Sequence, residues 1–121
     1  MSAIRITIKG VPPSLNKFAG RENSREYRAE KKQWTDAVQW YVKSIKDRPP
    51  MFYKADVYIL YYFPTNNRHD PDNYAGKFIL DGLVRAKVIK DDSFGCIKLH
   101  LDGAVDMKEP RTVVTVVETG E

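Results

Sequence analysis

The chain has 121 residues, 42% apolar and 30% charged, with 20 basic against 16 acidic side chains and a net charge of +4. That composition excludes a disordered chain and fits one folded domain, spanning 1–121, around one core. No stretch reaches the roughly 18 apolar residues of a bilayer span, and no charged-then-apolar leader opens the chain, so a cytoplasmic protein without a membrane partner is expected.

Residues 3–9 alternate apolar and polar and predict a strand. Residues 10–24 are rich in turn formers, among them Pro12-Pro13-Ser14, and predict an irregular loop. From Ser24, a candidate N-cap, the spacing of Trp34, Val38, Tyr41, Val42 and Ile45 predicts a helix to about Lys46, closed by Pro49-Pro50. Residues 54–63 are β-branched and aromatic on both faces, the pattern of a central strand, and Pro64 ends it. A second helix is expected from about Asp72 to Ala86, with Ile79, Leu80, Leu83 and Val84 on its buried side. Residues 95–102 and 111–118 alternate like a closing hairpin or a pair of edge strands. The β-α-β-α-β-β order predicts an α+β domain, a small mixed sheet with helices on one face. The lone Cys96 excludes an intrachain disulfide and a thiolate zinc cage, and is expected to be a small buried hydrophobe.

The run His69-Asp70-Pro71-Asp72-Asn73 carries the most chemistry. Pro71 pushes Asp70 toward extended backbone, where residues i and i+2 point the same way, so Asp70 and Asp72 can aim two carboxylates at one point. With the later pair Asp91-Asp92, they crowd acids into a basic chain, and a divalent cation would relieve the repulsion. Hard oxygen ligands suit Mg²⁺ or Mn²⁺, whose usual work beside phosphodiesters is to activate water and neutralise transition-state charge. The competing reading makes Asp72 or Asn73 a helix cap. Lys77 and Asp81, four apart, form either a solvated ion pair or a phosphate contact with an acid behind it. His69 reads as a solvated loop residue or a phosphate contact, and His100 as structural. The basic excess favours a polyanionic partner. Asn16, Lys17, Arg21, Arg68, His69, Asn73 and Lys77 are the candidates to meet a nucleic acid.

Taken in order, these segments resemble the RusA family of Holliday-junction resolvases, small phage- and prophage-associated endodeoxyribonucleases. Val11-Pro12-Pro13-Ser14-Leu15-Asn16 resembles the family's early Pro-Pro-Ser-x-Asn loop, Asp70-Pro71-Asp72-Asn73 with Lys77 and Asp81-Gly82-Leu83 its central signature, and Asp91-Asp92 its later acidic pair. The resemblance covers nearly the whole chain. It implies that Asp70, Asp72 and Asp92 bind the catalytic Mg²⁺ or Mn²⁺, with Asp91 as neighbour or substitute. Lys77 takes the place of the active-site lysine and Asp81 that of the helix aspartate. It also implies a homodimer acting on four-way DNA junctions in recombination and repair. Two departures stand out. Lys77 lies one residue further from Asn73 than in the best-known members, which on a continuous helix would turn it by about 100°. Gly82 replaces the usual Ala, a change expected to touch helix packing more than chemistry.

Two other classes compete with a nuclease. A structure-specific DNA-binding module that does not cut would use the acids structurally. A phosphatase or glycosyltransferase built on a DxD pair fits less well. The former places its first Asp at a strand end followed by Thr or Val, and the latter needs a nucleotide-sugar domain too large for this chain.

Overall fold

The computed structural model describes residues 2–22 and 24–120, so Asn23 of the expected 10–24 loop lies outside the described residues. Four strands, β1 (Ala3–Lys9), β2 (Ala55–Phe63), β3 (Ile97–Val105) and β4 (Arg111–Glu118), and two helices, α1 (Arg25–Lys43) and α2 (Lys77–Arg85), form an α+β domain. The sheet order is β1-β4-β2-β3. β4 runs antiparallel to both β1 and β2, while β2 and β3 are parallel and joined through α2. Among the described residues no helix is long and apolar enough to cross a membrane.

One face of the sheet makes the core. Ile4, Ile6 and Ile8 of β1, Val57, Ile59 and Tyr61 of β2, and Val114 and Val116 of β4 are buried against the helices. The period of two that made these segments legible as strands is the same property that turns alternate side chains to one side. Ser24 caps α1 as expected, its hydroxyl accepting from the Tyr27 N–H at 3.1 Å. Trp34, Val38 and Val42 are buried, and Tyr41 and Ile45 pack half-buried beside them. Cys96 is half-buried against the same core.

Three expectations need correction. Residues 95–102 and 111–118 form neither a hairpin nor a pair of edges, because β3 and β4 lie on opposite sides of β2. The 106–110 connection crosses the end of β2. There Asp106 donates its N–H to the Phe63 carbonyl, and its carboxylate accepts from the Lys108 and Glu109 N–H groups and from Arg111. Arg111, its guanidinium 3.7 Å from the Tyr62 ring centre, fixes the corner, and its pairing holds the Asp106 carboxyl below the usual range. With a neighbour on each side, β4 is interior, which its valines on both faces suit. The second helix begins at Lys77, five residues later than expected, and the first ends at Lys43 rather than Lys46.

Gly82 marks where the helices meet. A Cβ there would stand 2.7 Å from the Cβ of Val38, a branched residue that is itself fully buried and has nowhere to move. Gly82 therefore sets a close helix crossing. Gly82→Ala is expected to cost about 1–3 kcal/mol through overpacking, despite alanine's better helix propensity. Thermal or denaturant unfolding checks this, and an unchanged or raised stability would contradict the crossing.

Candidate functional site

The acidic run lies just past the end of β2. Asp70 is extended (φ −100°, ψ 135°), as its proline neighbour requires, and Pro71–Asn73 forms a single 3-10 turn held by the Asn73 N–H on the Asp70 carbonyl. Neither Asp72 nor Asn73 caps α2. The N-cap is Gly76, in left-handed backbone at φ 79°, and the Asp70 side chain makes no cap hydrogen bond either. The capping reading of these acids is thus overturned. Lys77 opens α2 directly after this left-handed residue, with Asp81 four residues on along the same helix. Gly76 cannot be substituted freely, since a Cβ would press to 2.5 Å from the Ile59 Cδ1.

Arg68 is the counter-charge of this run. Its Nε donates to Asp70 Oδ1 at 2.9 Å, and Asp72 adds a weaker electrostatic pull on the same guanidinium. Two half- or fully exposed carboxylates that share one cation are the oxygen set that suits Mg²⁺ or Mn²⁺, ions commonly bound by one or two carboxylates plus substrate phosphates.

Behind the acids is an aromatic cluster that the sequence did not announce. The His69 ring stacks on Phe63, 3.8 Å between centres and 6° from parallel, and Tyr74 meets Phe63 edge-on at 5.0 Å. His69 is therefore anchored, not a freely solvated loop residue. Tyr61, Phe63, His69, Asp70, Tyr74 and Gly103 line a cavity of about 160 Å³.

The early loop closes over the other side. Pro12, Pro13 and Leu15 pack around Tyr61, Asn73, Tyr74, Gly76 and Lys77, and Ser14 hydrogen-bonds Tyr74. Ser14 also caps a 3-10 turn, Leu15–Phe18, that carries Asn16 and Lys17. Phe18 is buried edge-on to Tyr27 at 5.4 Å, and Tyr27 edge-on to Phe78 at 5.3 Å, so one aromatic chain ties the first loop to α1 and α2. The Lys77 ammonium lies 5.7 Å from the centre of the Tyr27 ring. A hydrogen bond to Tyr27, with smaller contributions from Asp81 and Glu22, raises its pKa above the ordinary lysine value and keeps it charged. Arg21 folds back on the Lys17 carbonyl at 2.6 Å and faces Glu26 at 3.7 Å.

The remaining acids stand apart. Asp81 pairs with Lys31 of α1 at 3.4 Å. Asp91 and Asp92 are exposed in the loop after α2, beyond the Phe52–Ile89 bridge. Among the described residues no three His, Cys, Asp or Glu side chains gather into a set able to hold an ion, so Asp70, Asp72, Asp81, Asp91 and Asp92 do not form one cluster. His100 is structural as expected, its Nε2 3.0 Å from Asp56 Oδ1 and its ring stacked on Tyr58. Tyr27, Tyr74 and Gly76 went unread. Gly76, a glycine just before an apolar run, was the one usable signal. No protein-family model matches the chain, and no curated protein sequence matches it either.

The Tyr61 hydroxyl is buried without a hydrogen-bond partner among the described residues, and burial pushes its pKa up. A lone buried hydroxyl is a desolvation cost with no return, so Tyr61→Phe is expected to leave stability unchanged or raise it by about 1 kcal/mol. A loss above that, measured by denaturant unfolding, would show that the hydroxyl bonds a group in solution.

Proposed function

We propose that this protein is a Mg²⁺- or Mn²⁺-dependent endodeoxyribonuclease of the RusA type that cuts four-way DNA junctions and works in the cytoplasm as a homodimer. One observation carries the reading. Two of the three segments that resemble the family's motifs, the Pro12–Asn16 loop and the Asp70–Lys77 stretch, are more than 50 residues apart and pack against each other. Asn73 and Lys77 of the second segment line that contact, and Asp70 and Asp72 lie just before them in the chain.

Asp70 and Asp72 would hold the ion, with substrate phosphate oxygens completing its shell. Asp92, or Asp91 in its place, is the further ligand that the resemblance implies. When bound, such an ion supplies water activation and charge neutralisation at phosphorus. Arg68, released from Asp70, is placed to take a neighbouring phosphate. Lys77, braced by Tyr27, binds the scissile phosphate or the leaving oxygen. Asn16 and Lys17 extend the contact along the early loop, with Arg21, His69 and Asn73 beside them. A second reading, a junction-binding module that does not cut, is favoured by the separation of Asp91-Asp92 from Asp70-Asp72.

Incubation with a synthetic four-way junction, with and without Mg²⁺ or Mn²⁺, separates the two. Asp72→Asn is expected to abolish cleavage while junction binding persists or tightens, because a negative charge facing DNA is gone. Lys77→Met is expected to lower the cleavage rate by about 10²–10³-fold, the usual effect of removing one donor aimed at developing charge. Binding that persists with no cleavage in either metal would establish the non-cutting module.

A further inference from the structure

The cavity at the end of β2 has aromatic walls and an acidic rim. Tyr61, Phe63, His69 and Tyr74 line it, each ring centre within 5.7 Å of another. Asp70 and Asp102 add two carboxylates, the first half-buried and the second exposed, and among the described residues no lysine or arginine joins the lining. Each carboxylate is engaged through Oδ1, Asp70 by Arg68 at 2.9 Å and Asp102 by the Gly103 N–H at 2.8 Å. Tyr61 is 2% exposed, and its hydroxyl has no hydrogen-bond partner among the described residues. Buried hydroxyls are ordinarily paired, so this wall carries an unused polar atom. Gly103 stands opposite Tyr61 in the ladder and keeps the β3 side of the cavity down to backbone, since a Cβ there would press to 3.1 Å from Phe63.

These properties together select one class of guest. Ring faces attract cations through their quadrupole, most strongly where water is excluded. Two carboxylates add full opposite charge. A volume of about 160 Å³ is well below that of a drug-sized pocket, so the guest is a head group and not a nucleotide. A hydrated divalent ion takes oxygen ligands and gains little from aromatic walls. We propose that the cavity binds the head group of a small free amine, a short-chain alkylammonium ion. Its ammonium sits against the Asp70 and Asp102 carboxylates, its carbons lie along Phe63 and Tyr74, and the Tyr61 hydroxyl oxygen is the remaining acceptor. The charge of the chain favours a free amine over a lysine carried on a protein. At net +4, the molecule repels a basic partner across a broad interface, whereas a single small ion meets only the local carboxylates. The site shares Asp70 with the proposed metal site but needs neither metal nor DNA.

Titration of the isotope-labelled chain with propylammonium chloride at constant ionic strength is expected to give saturable NMR shifts at the Tyr74, Leu101 and Gly103 amides. Propanol, similar in size and uncharged, is expected to bind about tenfold more weakly, because the ring and carboxylate attractions are both lost. Tetramethylammonium has no N–H to give a carboxylate and is expected to bind through the ring faces. Asp102→Asn is expected to weaken propylammonium about two- to fivefold, the size of one exposed ion pair, and to leave propanol unchanged. The asparagine oxygen can still accept from the Gly103 N–H, so the strand keeps its local bond. Absence of saturable shifts, or equal affinity for propanol, would overturn the site. So would binding of propylammonium without tetramethylammonium, which would reduce it to a surface ion pair. Junction cleavage by the same protein reads the nuclease proposal separately, and either can fail while the other stands.

Discussion

The close approach of α2 to α1, possible only because Gly82 has no side chain to set against Val38, determines how much of the sheet is covered. The core lies over β1, β4 and β2, and beyond Ile97 most of β3 is exposed, with Leu101 half-buried. Two features of the molecule follow from that shortfall. One is the cavity beside the acidic run, open on the side of Gly103 and Leu101. The other is the free edge of the sheet.

The electrostatics of the acidic run follow the same economy of parts. Asp70 and Asp72 are not balanced by the helix terminus, because Gly76 interposes a left-handed turn between them and α2. Their nearest balance is one exposed guanidinium. Charges compensated in this way exchange partners readily, since an exposed ion pair contributes little and the side chain that supplies it is long and flexible. Lys77 is the opposite case. It is steadied by Tyr27, which is in turn locked between Phe18 and Phe78, so its position is set by the packing of three elements.

Much of this fold was legible because its elements are amphipathic. The alternation of residues 3–9, the Ser24 cap and the Trp34–Val38–Val42 stripe report local physics, and each appears as expected. What failed was non-local or set by a single backbone angle. Nothing in residues 95–118 says that β4 would cross β2 instead of turning back on β3, because that choice belongs to β1, which pairs with β4 along seven residues. The start of α2 was misplaced because Asp72-Asn73 is a good cap by composition, while the decisive residue, Gly76, acts through a positive φ. In the site, Asp70, Asp72 and Lys77 stood out through their spacing. Phe63, Tyr74 and Tyr27, which hold them, read as ordinary core.

The pairing of β1 with β4 reaches beyond the folded state. Ala3 sits opposite Val117, so β1 has its neighbour in the sheet more than 100 residues along the chain. During synthesis β1 emerges well before β4, and until β4 follows, the Ile4–Ile6–Ile8 face has no ladder to join and is an apolar ribbon. Contacts this distant make sheet closure slow and late. In the cell, the emerging chain therefore depends on whatever shields that ribbon until β4 appears.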